Sequence, residues 1–169
     1  GGTQIDVHYA VLPALARNRR PDPVFFFAGG PGQSAMDLGA NVARMLVRVS
    51  NRRDVVLVDQ RGTGRSAPLK CEEPAPTLPL AEAVSNQGLM ARLQACRGQL
   101  QKLPHGDLRH YTTWVAMQDA EAVRQHLGVR QCNLVGASYG TRAALEYQRQ
   151  FAPHARRTVL AGVAPPDMA

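Results

Sequence analysis

The stretch NLVGASYGTR, residues 133–142, decides the fold, because an apolar run ends there in a G-x-S-x-G motif. The run NLV predicts a strand and the residues after the motif predict a helix, so Ser138 falls on a sharp strand-to-helix turn. Gly136 and Gly140 leave room for the strand and the helix to approach each other. This context predicts an exposed, nucleophilic Ser138. The alternative is a serine that only caps a helix in a glycine-flanked turn.

The rest of the chain continues the alternation of strands and helices around this motif. Strands are predicted over residues 4–12, 24–28, 55–58, 133–135 and 158–163, and helices over residues 35–49, 89–100, 112–128 and 139–151. The first strand alternates polar and apolar residues, as an edge strand does, whereas the next two are continuous apolar runs typical of buried central strands. Short connections between these elements predict an α/β fold with a doubly wound, mostly parallel sheet.

One segment interrupts this order. Residues 67–110, rich in Pro, Gln and Ala, are expected to form an insertion within a single domain over residues 1–169. Cys71 and Cys96 flank its polar part and are positioned to close it as a disulfide, which would imply an oxidising compartment. We therefore expect a periplasmic or secreted protein, with the cytoplasm as the alternative. Cys132, in an apolar run, is predicted to be a buried free thiol.

Composition and charge exclude several classes of function. The net charge is +7 and the pI about 10.0, but the arginines are scattered and aromatic residues make up only 5% of the chain, which argues against nucleic-acid binding. The sequence contains no apolar run of the roughly 20 residues that span a bilayer, and the N-terminus lacks a signal pattern, so any signal peptide is expected to have been removed. No cysteine spacing suggests a metal site, and no cofactor is expected.

A second glycine-rich loop, AGGPGQS at residues 28–34, lies between a predicted strand and a predicted helix. Such a loop can direct the N–H of Gly29 or Gly30 at the substrate oxygen that Ser138 attack would make negative. The N–H of Tyr139, at the start of the next helix, is the other predicted donor of this oxyanion hole. The alternatives for the loop are an ordinary tight turn or a phosphate loop, but no G-K-[ST] follows.

A third loop, DQRGTGRS at residues 59–66, follows the strand VVLV. Asp59 and Arg61 are candidates for catalysis. However, an Asp and an Arg at a strand end more often order a loop through charge-assisted hydrogen bonds. We therefore expect both residues to support the site rather than to react.

Together these segments resemble the proline iminopeptidase and tripeptidyl aminopeptidase group of α/β-hydrolases. The resemblance covers nearly the whole chain and rests on GGPG at 29–32, DQRGTGRS at 59–66, YTT at 111–113, D-x-x-x-VR at 119–124, GASYGTR at 136–142 and the VLAGVAPP ending. It implies that Ser138 is the nucleophile, that Tyr139 and the GGPG loop form the oxyanion hole, and that the DQRG loop braces the site. Many proline iminopeptidases have His where this chain has Ala28, which resembles the exported tripeptidyl-peptidase branch.

The resemblance also implies that much of the catalytic apparatus lies further along the chain. In the family, the triad acid and histidine follow later strands, beyond a helical cap that binds the substrate N-terminus. We therefore expect an incomplete α/β-hydrolase fold that lacks the cap, the C-terminal strands and the triad histidine. Asp167 is a candidate acid because it follows a predicted strand.

The function implied by this resemblance is a serine aminopeptidase that releases residues or short peptides from free N-termini by acyl transfer through Ser138. Its partners would be the peptide substrate and the remainder of the hydrolase. An esterase or lipase-like hydrolase on the same fold is the nearest alternative, because the same loops serve any acyl transfer. A catalytically incomplete fragment is the alternative from another class.

Overall fold

The computed structural model of the protein describes residues 2–71 and 85–164. The strands in this part of the chain are β1 (Tyr9–Leu12), β2 (Val24–Phe27), β3 (Val55–Val58), β4 (Cys132–Ala137) and β5 (Ala155–Ala161). The helices are α1 (Gly39–Met45), α2 (Val47–Ser50), α3 (Asn86–Leu100), α4 (Thr113–His126) and α5 (Gly140–Gln150), with 3₁₀ turns at Leu108–His110 and Ala152–His154.

The five strands form one sheet in the order β1-β3-β2-β4-β5. β1 is antiparallel to β3, and the remaining neighbours are parallel. The predicted doubly wound, mostly parallel sheet is confirmed, and β1 lies at an edge as expected. Because the carboxyl ends of parallel strands share one edge of the sheet, the loops after β2, β3 and β4 leave it on the same side.

The sheet is covered on both faces. One face packs Phe25, Phe27 and Leu134 against the buried sides of α4 and α5, which include Met117 and Tyr147. The other face packs Val24, Phe26 and Leu57 against Val42 and Leu46 from α1 and the residue that follows it. All four residues of β2 and of β3 are buried, which explains why these strands are continuous apolar runs instead of alternating ones.

The predicted first strand is too long. It was expected over residues 4–12, but β1 includes only Tyr9–Leu12. The pairing ends at His8, whose carbonyl accepts from Asp59 N–H at 3.1 Å while its own N–H donates to the Ser66 side chain at 2.9 Å. β3 ends at Val58, and the chain then enters a loop. Residues 4–7 therefore have no neighbouring strand to pair with.

The predicted helix over residues 35–49 is also corrected. Its first turn is replaced by a loop, because Met36 N–H donates to a carboxylate oxygen of Asp59 at 3.1 Å and Asp37 N–H donates to the Ser34 hydroxyl at 3.1 Å. The helix then breaks at Leu46, which has φ −99° and ψ 15°, and this divides it into α1 and α2. Helical spacing of the apolar residues could not reveal either tertiary hydrogen bonding or this break.

The other predicted elements differ mainly at their ends. α3 begins three residues before the predicted start, with the Ser85 side chain accepting from Gly88 N–H at 3.0 Å. Thr112 caps α4 by accepting from Val115 N–H at 3.3 Å. β4 extends over residues 132–137, so the predicted strand 133–135 was too short. β5 extends over residues 155–161, so the predicted strand 158–163 was shifted toward the C-terminus.

The cysteine predictions are confirmed. Cys71 and Cys96 form a disulfide, with their Cα atoms 5.4 Å apart. Cys132 is a free, buried thiol, and burial raises its pKa to about 11. Residues 72–84 of the predicted insertion lie outside the described residues. In the described part of the chain, no helix combines the length and apolar character needed to cross a membrane.

Candidate active site at the end of strand β4

Ser138 occupies the turn between β4 and α5 in a strained conformation. Its φ is +53°, in the left-handed region that residues other than glycine rarely adopt. Its N–H donates to the carbonyl of Ala161 at 2.9 Å, and its carbonyl accepts from the N–H and the hydroxyl of Thr141 at 2.9 and 2.7 Å. The residue itself is exposed. The turn thus holds the backbone of Ser138 on both sides and leaves its side chain accessible.

Close backbone contacts explain the two flanking glycines. A Cβ on Gly136 would lie 2.7 Å from the carbonyl carbon of Gly140, and a Cβ on Gly140 would lie 2.7 Å from the carbonyl carbon of Phe27. Both distances are shorter than any ordinary van der Waals contact. Strand β4, the start of α5 and the end of β2 therefore meet at a point where only glycine fits at both positions.

The glycine-rich loop after β2 reaches the same place. Gly29 is buried, and a Cβ built on it would lie 3.1 Å from the Cβ of Ser138. Gly30, next in the chain, is exposed and has φ +105°. The fold thus brings together the loop at residue 29 and the turn at residue 138, which are far apart in sequence.

The start of α5 adds a favourable electrostatic environment. α5 has 11 residues and begins directly after Tyr139, so its N-terminus lies next to Ser138. The partial positive charge at a helix N-terminus stabilises a nearby anion. The site can therefore stabilise negative charge that develops on an oxygen beside Ser138.

Asp59 connects two of the loops at this edge of the sheet. Its carboxylate, almost completely buried, accepts hydrogen bonds from Ser34 Oγ at 2.8 Å and Met36 N–H at 3.1 Å, and from Arg65 N–H at 3.2 Å. Ser34 is the last residue of the glycine-rich loop and Met36 follows it, whereas Arg65 belongs to the DQRG loop. A buried carboxylate is stable when hydrogen-bonded in this way, and here it holds one loop against the other.

Arg61 bonds to a different helix. Its guanidinium donates two hydrogen bonds to the Asp119 carboxylate, at 2.7 and 2.6 Å, and one to the His110 carbonyl at 3.1 Å. Both side chains of the ion pair are only 14% exposed. Asp119 lies in α4, so the pair attaches the DQRG loop to the helix that forms one wall of the site. Arg61 was predicted to support the site, but its partner Asp119, 58 residues further along the chain, was not predicted.

A cleft of about 280 Å³ opens between these loops. Its lining combines the glycine-rich loop, the DQRG loop, Tyr139, the start of α4 at Thr113, and the two residues before it, Tyr111 and Thr112. Tyr111 donates its hydroxyl to the His105 carbonyl at 2.8 Å, and burial raises the pKa of Tyr111. From the sequence, the YTT motif contributed only to the family resemblance, and its place in the cleft was not predicted. Its position just before a predicted helix was the available signal.

A second buried cluster lies at the opposite end of β4, around Glu121. The carboxylate accepts from Arg124 at 2.8 and 2.6 Å and from the Tyr147 hydroxyl at 2.7 Å, and it is 3.0 Å from Nδ1 of His154. Burial raises the pKa of Glu121, but the hydrogen bonds from Arg124, Tyr147 and Gln125 outweigh it and lower the value to about 2. The cluster joins α4 to α5 in the core and is separate from the cleft.

The five histidines lie elsewhere in the structure. The His8 N–H donates to the Ser66 side chain, and the His105 ring lies near the Pro68 carbonyl. His110 is near Asp107, His126 packs on Tyr9, and His154 is beside Glu121. No hydrogen bond joins a histidine to the Ser138 hydroxyl within residues 2–71 and 85–164. Asp167, the candidate acid, lies outside the described residues.

Comparison with known proteins identifies the fold and a set of relatives. The family described as alpha/beta hydrolase fold matches residues 22–169. Tripeptidyl aminopeptidase of Streptomyces lividans is 30% identical over 161 residues, which cover 89% of this chain and 30% of the relative. Proline iminopeptidase of Xanthomonas citri is 26% identical over 163 residues, covering 96% of this chain and 39% of the relative.

A solved esterase from a marine microorganism has the same fold, with a TM-score of 0.56 at 16% identity, and the match covers 96% of this chain and 43% of the esterase. The chain spans 30 to 39% of the length of the two curated relatives.

Proposed function

Because the chain belongs to the α/β-hydrolase family, we propose that it carries the nucleophile of a serine hydrolase and that Ser138 is this nucleophile. The observation that carries the proposal is the left-handed backbone of Ser138, at φ +53°, on an exposed turn against which Gly29 packs. Backbone strain of this kind persists only where the surrounding structure enforces it, and it clusters at functional sites.

The proposed reaction is acyl transfer. Ser138 Oγ attacks a carbonyl carbon, its proton passes to a base, and the carbonyl oxygen becomes negative in a tetrahedral intermediate. The intermediate collapses with release of the leaving amine or alcohol, and water then cleaves the acyl-serine bond. The base is expected to be a histidine later in the polypeptide, as the family resemblance implies.

The oxyanion hole of this proposal consists of backbone N–H groups. Tyr139 N–H, at the start of α5, is the first donor, and Gly29 or Gly30 is the second, since the glycine-rich loop contacts Ser138. Donors held in place before the reaction stabilise developing charge without reorganisation, and one such donor is worth roughly 10²–10³-fold in kcat. Asp59 and Arg61 support the site by fixing its loops instead of reacting.

The proposed substrate is a peptide with a free N-terminus. The relatives named tripeptidyl aminopeptidase and proline iminopeptidase support this class. An esterase is the second candidate, favoured by the similarity in fold to a solved esterase. The Cys71–Cys96 disulfide supports a periplasmic or secreted location, because disulfides persist in oxidising compartments. We further propose that residues 1–169 belong to one domain with an insertion at residues 67–110.

A fluorophosphonate probe tests the nucleophile. On the full-length natural polypeptide, the probe should label Ser138, and Ser138→Ala should abolish labelling, because Oγ displaces fluoride from phosphorus in the same way that it attacks a carbonyl. Ser50→Ala is the matched control, since Ser50 ends α2 and its hydroxyl donates to the Val47 carbonyl at 3.3 Å, away from the cleft. Undiminished labelling of the Ser138→Ala protein would refute the assignment.

Substrate class is tested with three chromogenic compounds: a tripeptide 4-nitroanilide with a free N-terminus, the same compound acetylated, and 4-nitrophenyl butyrate. An aminopeptidase should hydrolyse the free peptide and reject the acetylated one. Hydrolysis of the butyrate with no cleavage of either peptide would favour the esterase instead.

A further inference from the structure

The peptide unit between Ser138 and Tyr139 is held by its carbonyl. A trans peptide is planar, so its C=O and N–H point in opposite directions. The carbonyl of Ser138 accepts from the Thr141 hydroxyl at 2.7 Å and from the Thr141 N–H at 2.9 Å. Anything that fixes this carbonyl on one side of the peptide plane therefore also fixes the direction of the Tyr139 N–H on the other side.

The position of the Thr141 hydroxyl is itself determined. Thr141 is fully buried, and its Oγ1 accepts from Ala164 N–H at 3.0 Å. A backbone N–H can only donate, so the single hydroxyl proton is left for the Ser138 carbonyl. Thr141 thus links the turn that carries Ser138 to the segment that follows β5.

A second threonine contacts the side chain of Tyr139. The Tyr139 hydroxyl lies 2.5 Å from Thr113 Oγ1, and both side chains are half-buried at the cleft. Thr113 is the first residue of α4, which Thr112 caps. The same helix is attached to the DQRG loop by the Arg61–Asp119 ion pair. Thr113 therefore holds the Tyr139 ring from an element that is independent of the turn.

We infer that Thr141 and Thr113 are positioning residues, which together direct the Tyr139 N–H at the substrate oxygen. The inference rests on the proposed function of Ser138. Neither threonine is required to touch the reacting atoms. Thr141 sets the plane of the peptide, and Thr113, through the tyrosine hydroxyl, limits movement of the residue that carries the N–H. Loss of either contact should slow the chemical step and leave initial binding nearly unchanged.

The test measures fluorophosphonate labelling of the full-length polypeptide over a range of probe concentrations, which separates the maximal rate constant from the half-saturating concentration. Thr141→Val and Thr113→Val should each lower the maximal rate constant about tenfold, the effect expected from one lost hydrogen bond, and change the half-saturating concentration by less than about twofold. Thr141→Ser and Thr113→Ser retain the hydroxyl and should restore labelling. Thr158→Val is the matched control, because its hydroxyl bonds to Gln148 away from the cleft.

Valine variants with an unchanged rate constant, serine variants that fail to restore it, or an effect confined to the half-saturating concentration would each overturn the inference. If Thr141→Val does not fold, Thr113→Val and Thr113→Ser decide, because Thr113 is only half-buried. Ser138→Ala distinguishes failure of the proposed nucleophile from failure of the positioning role. Labelling that survives this change refutes the proposed nucleophile, whereas labelling lost in Ser138→Ala but normal in both valine variants refutes only the positioning role.

Discussion

Gly29 packs directly on Ser138: a Cβ on Gly29 would lie 3.1 Å from the Cβ of Ser138 and 3.2 Å from the carbonyl oxygen of Ala137. This contact joins the loop after β2 to the turn after β4. The space beside Gly29 is a few tenths of an ångström smaller than a methyl group needs. A methyl group here would therefore displace Ser138 slightly without destroying the fold.

Gly29→Ala should therefore lower the maximal rate of fluorophosphonate labelling by about tenfold or more, because small displacements of reacting groups are costly in rate. Gly98→Ala is the control, since a Cβ on this helical glycine meets nothing within 4 Å. It should leave labelling unchanged and stabilise α3 by up to about 1 kcal/mol. Normal labelling of the Gly29→Ala protein would show that the loop does not constrain Ser138.

Gly140→Ala should lower the free energy of unfolding, and not only the rate of fluorophosphonate labelling. The added Cβ would lie 2.7 Å from the Phe27 carbonyl carbon and 2.8 Å from the Ala28 carbonyl oxygen, and this backbone belongs to the sheet and to the residue that follows β2. Overpacking of this kind costs roughly 1–3 kcal/mol of unfolding free energy, measurable by urea denaturation. Gly128→Ala, with φ +65° and open space around its Cβ, measures the backbone cost alone. A smaller loss in Gly140→Ala than in Gly128→Ala would contradict the steric explanation.

The Glu121 cluster predicts a pH dependence of stability. The pKa of Glu121 is lowered from 4.5 to about 2 in the folded protein, because hydrogen bonds from Arg124, Tyr147 and Gln125 outweigh the effect of burial. A lowered carboxyl pKa contributes stability that is fully present above the unfolded value, near 4.5, and is lost as the pH falls to about 2. The contribution is roughly 3 kcal/mol.

Glu121→Gln should accordingly reduce the unfolding free energy more at pH 7 than at pH 2, because glutamine does not titrate. Denaturant unfolding of both proteins between these pH values gives the difference. Glu146→Gln is the control, since Glu146 pairs with the largely exposed Arg149 and should show a weaker pH dependence. Parallel curves for the wild type and the Glu121→Gln protein would rule out this role for the cluster.

The disulfide predicts a specific pattern of thiol labelling. In denatured but unreduced protein, alkylation followed by peptide mapping should modify Cys132 and leave Cys71 and Cys96 unmodified, and reduction should make both available. Replacing Cys71 and Cys96 by serine should cost about 3 kcal/mol, as expected for a cross-link between residues 25 apart in sequence. Labelling of Cys71 before reduction would show that the bridge does not form.

Much of the fold was predictable from the sequence because the deciding signals are local. β3 has the predicted bounds, since a four-residue apolar run between charged residues can be a buried strand over its whole length. The turn at Ser138 was also predictable, because an apolar run, a glycine-flanked serine and a helical pattern follow one another within ten residues. Predicted element boundaries were wrong where a side chain distant in sequence forms a hydrogen bond to the backbone. The Asp59 carboxylate accepts from the Met36 N–H, and the first turn of the expected helix is a loop instead.

The sequence by itself thus determined the order of the elements, the strand-to-helix turn at Ser138 and the two glycines that the turn requires, because short-range sterics and hydrophobic periodicity depend only on neighbouring residues. Only the tertiary structure decided that Gly29 contacts Ser138, that Arg61 pairs with Asp119 and that Thr113 meets Tyr139. The physical reason is that these contacts form only when the sheet aligns the ends of its strands, and linear spacing carries no information about which loops then meet.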